Sequence, residues 1–206
     1  MIRSVMQKLI FYMRENALCC IICAAALICG AMIGIVWAVS MPELDAKELS
    51  LYFADFFASF VQAGTDSAVI FTDALRLQAY FFGILLLCSG MIFGLPFIFI
   101  VGVGSGISVG FTATFLLKNY GMRALLFMLT GMLPHTLLML PCHFAALCVC
   151  VQFSVLLLKE RAGLKNRLIS HFLILCALFA VAFAAVLLQA YIEPLLVSMI
   201  APYFVS

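Results

Sequence analysis

Residues 77–117 read LQAYFFGILLLCSGMIFGLPFIFIVGVGSGISVGFTATFLL, 41 consecutive positions without a charged side chain. A helix needs about 20 predominantly apolar residues to cross the hydrocarbon core of a bilayer, so this run suffices for two spans, or for one span and a re-entrant piece. Pro96 and the run Gly102, Gly104, Gly106 and Gly110 are expected to break it near its middle. These glycines do not form a nucleotide fingerprint, because no strand precedes them and no ribose-binding acid follows. The rest of the chain has the same character. Of its 206 residues 67% are hydrophobic and 10% are charged, and the mean hydropathy is +1.26. An average soluble domain is about 45–50% apolar and about 25% charged. A water-soluble fold would lack the polar side chains to cover its surface, and the same figures exclude disorder, collagen and coiled coil. The expected fold class is all-α: a polytopic helical membrane protein with about five transmembrane helices, an amino-terminal amphipathic interfacial helix, and broken or re-entrant segments.

Working outward from that run, the whole chain reads as one membrane domain. Residues 2–16 place Ile2, Val5, Met6, Leu9, Ile10 and Met13 at helical spacing opposite Arg3, Gln7, Lys8, Arg14 and Glu15, the pattern of a helix lying on the membrane interface. Residues 17–39 are uncharged for 23 positions and form the first span. Signal peptides have a shorter apolar core and a small-residue cleavage site, so this span is read as an uncleaved anchor. The segment 41–77 holds six acids (Glu43, Asp45, Glu48, Asp55, Asp66 and Asp73) against Lys47 and Arg76, and is expected to be external. Within it Leu49, Tyr52, Phe53, Phe56, Phe57 and Phe60 form an aromatic stripe, suited to the interface or to neighbouring helices, with a docking face for another protein as the alternative. Residues 78–158 are the broken central spans, 159–167 a basic loop, and 168–192 the last span, followed by Glu193-Pro194.

Charge placement orients the chain. Lys and Arg gather at 3–14 and at 159–167, which the positive-inside rule assigns to the cytoplasm, so the amino terminus is expected inside and the carboxyl terminus outside. Lys118 and Arg123 resist this layout, because five spans place them externally with no acid nearby. The alternative makes 102–117 re-entrant and 124–158 a hairpin, which keeps both inside. The net charge of +2 gives no reason to expect nucleic acid. All nine cysteines fall in apolar stretches and none in the acidic segment, so they are read as reduced packing residues. Four small-xxx-small pairs, Gly30/Gly34, Gly90/Gly94, Gly102/Gly106 and Gly106/Gly110, are expected to let helix backbones approach in lipid. Packing within the chain is the first reading and a homodimer face the second.

Few polar groups remain at membrane depth, where each is a functional candidate. Those far from a span end are His135 and His143, in Leu133-Pro134-His135-Thr136-Leu137-Leu138-Met139-Leu140-Pro141-Cys142-His143. On a regular helix His135, Met139 and His143 share a face and could hold a soft metal or haem iron. Against this, Pro141 distorts the ladder and no carboxylate is within reach to orient an imidazole. The structural reading is that Pro134 and Pro141 free backbone carbonyls that His135, Thr136 and His143 satisfy in a broken helix. No catalytic set is recognisable: no carboxylate pair, no Ser/His/Asp set, no HExxH, no P-loop, and a single CxxC spacing inside the anchor. Neither an enzyme nor a cofactor is expected.

The stretch FTDALRLQAYFFGILLLCSGMIFGLP (71–96), the glycine-rich run and GMLPHTLLMLPCHFAA (131–146) together resemble the stage II sporulation protein M family over nearly the whole chain. The most specific element is the Pro-His motif, here Pro134-His135. Members commonly continue it with glycine and then glutamate, and these places read Thr136 and Met139 here, so the family's intramembrane His-Glu pair is expected to be lost. The resemblance implies a non-enzymatic membrane component of the machinery that thins septal peptidoglycan during forespore engulfment. It further implies two recruited partners, a lytic transglycosylase and an amidase/endopeptidase, with the bilayer lipids around them. In this chain Glu43, Asp45, Glu48 and Asp55 with Phe53, Phe56, Phe57 and Phe60 are the expected docking carriers. A small permease subunit for an apolar or lipid-like substrate is the rival, since broken helices at Pro96, Pro134 and Pro141 would expose backbone at the midplane.

Overall fold

The computed structural model describes residues 17–62, 67–91, 93–159 and 164–200, which are helical throughout apart from short turns. The interfacial helix expected at 2–16 lies outside the described residues. In chain order the helices are α1 (Ala17–Ser40), α2 (Glu43–Gln62), α3 (Ser67–Gly90), α4 (Gly94–Tyr120), α5 (Met122–Phe127), α6 (Leu133–Lys159), α7 (Leu164–Leu187) and α8 (Glu193–Ile200). A π-turn at Met128–Met132 joins α5 to α6, and another at Leu188–Ile192 joins α7 to α8. Five helices are long and apolar enough to cross a membrane: Ala17–Ser40, Ser67–Gly90, Gly94–Tyr120, Met122–Leu158 and Asn166–Met199. No strand occurs among the described residues. The run 77–117 is thus shared between two membrane-length helices, α3 and α4, and 124–158 lies within a single one, without the hairpin or re-entrant alternative.

The break in the long uncharged run is not at the glycines. It falls between the end of α3 at Gly90 and the start of α4 at Gly94, where the Met91 N–H donates to Cys88 O (3.1 Å) and the Gly94 N–H to Met91 O (3.0 Å). Pro96 lies in the first turn of α4, where its missing N–H would have had no partner anyway. Gly102, Gly106 and Gly110 lie buried in the middle of an unbroken helix. They serve close packing. A methyl at Gly30 would collide with the Val103 carbonyl, one at Gly34 with Ile107 O, one at Gly106 with Leu27 O and one at Gly110 with Ala31 O. These pairings advance together along both helices, so α1 and α4 run parallel with their backbones in contact, as small residues permit in lipid. Gly102 meets the Leu147 side chain instead. The Gly90/Gly94 pair does not pack helices: Gly90 faces open space, and Gly94 sits against Cys88 O in the turn. The reversal between α4 and α5 needs Gly121, whose φ of 56° is the left-handed conformation other residues avoid.

α6 is the central helix. Residues 145–154 are buried on every side, which suits a helix apolar all round, and Leu147, Cys148 and Cys150 pack there with Leu85, Ile98, Ala182 and Val186. A second cluster of Leu116, Ala124, Phe127 and Val197, with Phe53 and Ile70 against it, fills the Ser40 end of the bundle. The cysteines all carry free thiols. Lys118 acquires a structural task at that end: its Nζ donates to Val39 O (3.0 Å) and Ala38 O (3.4 Å), while Ser40 Oγ donates to Val36 O (2.7 Å). Carbonyls left over at a helix C-terminus need partners, and a cation there also complements the helix dipole. Lys118, one of the two cations that resist the five-span layout, is thus engaged in closing α1.

Candidate functional site

Pro134 and Pro194 each follow a π-turn. A proline inside a helix removes one donor and presses its ring on the carbonyl four residues earlier. Those carbonyls belong to Thr130 and Ala190, both within the π-turns Met128–Met132 and Leu188–Ile192, where the wider i→i+5 ladder makes room. The expected breaks are therefore absent, and Pro141 too sits inside α6 without ending it. What the π-turns do is present His135 and Glu193 to one another. The His135 backbone N–H donates to Glu193 Oε1 at 3.0 Å, and its ring Nδ1 lies 2.7 Å from the same oxygen. Glu193 is 4% exposed.

Two expectations are corrected here. A carboxylate does reach His135. It comes not from position 139, where Met139 stands, but from the start of α8, and sequence spacing could not disclose it because the partners are 58 residues apart. Nor do the histidines repair a broken backbone. His143 Nε2 pairs with Gln78 Oε1 at 2.9 Å and its ring stacks on Phe81 with centroids 3.9 Å apart, while Thr136 Oγ1 lies 3.4 Å from His135 Nε2. The eight-position separation of the two histidines corresponds to about 12 Å of helix rise, too far for one metal ion. Among the described residues no group of three His, Cys, Asp or Glu is placed to share one.

His135, Thr136, Met139, His143, Gln78, Gln189 and Glu193 line a cleft of about 860 Å³, whose other wall is the α4 face bearing Gly104, Ser105, Ser108 and Thr112. Mixed with these are apolar side chains of α1, α3 and α5, and Phe53 of α2. A third intramembrane histidine was missed in the sequence because it follows closely on the basic segment. His171 is 5% exposed, 2.9 Å from Ser89 Oγ through Nε2, and stacked on Phe153 at 4.1 Å.

The second candidate surface is α2. Glu43, Asp45, Glu48 and Asp55 are all exposed. Phe53 does not belong to an outward face. It stacks on Phe115 (centroids 5.6 Å, 30°), which stacks on Phe111 (5.9 Å, 13°), which meets Trp37 (5.4 Å). Tyr120 OH donates to Ser50 O at 3.2 Å. Phe53 is thus an inward clamp, and the physical reason is the apolar cluster of Leu116 and Phe127 it covers. The side chains of Phe56, Phe57 and Phe60 lie outside the described residues.

Compared with known proteins, residues 22–194 match the family model described as Stage II sporulation protein M. No curated protein and no solved structure matches the chain.

Proposed function

The chain belongs to the stage II sporulation protein M family, and from that premise we propose that it is a non-enzymatic membrane scaffold that recruits septal peptidoglycan hydrolases during forespore engulfment. The spans hold it in the bacterial cell membrane, and the basic segments 3–14 and 159–167 support a layout with the amino terminus in the cytoplasm and the carboxyl terminus outside. α2 then lies on the external side.

The observation that carries the reading is the division of α2 into two faces. Phe53 and the Ser50 carbonyl fix it to the bundle through Phe115 and Tyr120, which leaves Glu43, Asp45, Glu48 and Asp55 exposed on a helix held in place. A positioned acidic face suits a partner with a complementary basic patch, where charge sets on-rate and specificity more than raw affinity. The test is co-purification of the hydrolases with Glu43, Asp45 and Glu48 all replaced by Lys. The scaffold reading expects loss of the partners at unchanged protein level, and undiminished recovery overturns it. A permease subunit is favoured by the largely apolar cleft that His135, His143, Gln78 and Glu193 line, and an ATPase encoded beside this gene would be its sign.

A further inference from the structure

We infer that the cleft between α3, α4, α6 and α8 binds one neutral glycerolipid of the diacylglycerol type. The inference is independent of the acidic face of α2.

Three observations select this ligand class. The cleft's volume of about 860 Å³ lies within the roughly 300–1,000 Å³ of small-molecule sites, and its walls are mostly apolar, so the ligand is mostly hydrocarbon. A bilayer solvates acyl chains as well as a protein does, so selectivity must come from the polar lining. Among the described residues that lining has no lysine or arginine, hence no cation there to replace the hydration of a phosphate headgroup. Glu193, the acid among the described lining residues, already takes the His135 backbone N–H and ring Nδ1 on Oε1, so part of its capacity to accept from a ligand is used.

What remains suits hydroxyl and ester groups. Gln78 accepts from His143 through Oε1, which directs its amide NH2 to other acceptors. Ser105 and Ser108 donate to Val101 O and Gly104 O of their own helix, so their oxygens remain acceptors. A hydroxyl can bond to either set, and ester carbonyls to the amide.

Gly104 supplies the test, because it lines the cleft and a β-carbon there would meet nothing within 4 Å. The full chain in phosphatidylcholine vesicles is irradiated with trace diacylglycerol bearing a diazirine acyl chain, and labelled peptides are mapped. The expected result is labelling in 74–78, 101–112 and 132–143 that unlabelled dioleoylglycerol competes away. Gly104→Leu, which fills the cleft, should abolish that labelling, and Gln78→Leu, which removes its amide, should lower it about tenfold, the factor matching one lost hydrogen bond of ordinary strength. Both variants are read on the monodisperse fraction, so a folding defect in one leaves the other decisive. Labelling that is spread over all lipid-facing helices, that survives both variants, or that is equalled by a diazirine phosphatidylglycerol probe overturns the proposal.

Discussion

His135 and Glu193 are joined twice through one carboxyl oxygen, by the His135 backbone N–H at 3.0 Å and by Nδ1 at 2.7 Å. With Nδ1–H directed at the carboxylate, Nε2 is the ring atom left toward Thr136 and the cleft. The pair ties the two proline-bearing π-turns together, and so couples the fourth span to the fifth.

Glu193→Ala strands both N–H groups of His135 in a buried place. Lost bonds to a charged acceptor cost about 1–3 kcal/mol, with the lower end expected in a membrane, where the unfolded state also finds partners. Thermal unfolding in detergent should fall by several degrees for Glu193→Ala and less for Glu193→Gln. Adding His135→Ala to Glu193→Ala should cost little more, and strictly additive losses would show that the contact carries no coupling.

The glycines divide sharply. Leucine at Gly106 or Gly110 drives side-chain atoms into the backbone of α1, and overpacking of this kind costs about 1–3 kcal/mol or more. Alanine at Gly90 meets nothing within 4 Å and should leave the unfolding midpoint unchanged. Equal stability of Gly106→Leu and Gly90→Ala would contradict the parallel α1–α4 contact.

Lys118→Met should loosen the end of α1, because Ala38 O and Val39 O lose their donor, at a cost of about 1 kcal/mol. Limited proteolysis around residues 40–46 reads this directly. Cleavage faster than wild type is expected for Lys118→Met, with Lys118→Arg close to wild type.

Cysteine chemistry reports the packing without perturbing it. Cys29 and Cys176 are exposed on the helical bundle, whereas Cys148 and Cys150 are fully buried. In detergent a small maleimide should modify Cys29 and Cys176 first, with Cys148 and Cys150 reacting only on unfolding. Peptide mass spectrometry over time gives the order.

Composition and charge-free run lengths made the helical class and the five spans legible, because lipid tolerates only segments that satisfy their own backbone. The places misread share a cause. Gly102–Gly110 and Pro134 look like helix breakers by local propensity, yet in α4 Gly106 and Gly110 meet the backbone of α1 and before Pro134 a π-turn absorbs the ring. Glu193 reads as the polar end of a span until the fold turns it onto His135. Phe53 reads either as a packing residue or as a docking carrier until Phe115 covers it. Apart from Pro134, where the cause is the local π-turn, each error lies in which helix stands opposite, information that periodicity along one chain does not contain.

The central claim is a scaffold that works through the acidic face of α2. Its most direct measurement is fluorescence microscopy of engulfment in sporulating cells lacking the gene, complemented with wild type or with Glu43, Asp45 and Glu48 replaced by Lys. The account predicts arrested engulfment in the deletion, rescue by wild type, and arrest with the charge-reversed protein although it reaches the membrane in normal amount. Normal engulfment in the uncomplemented deletion would contradict it.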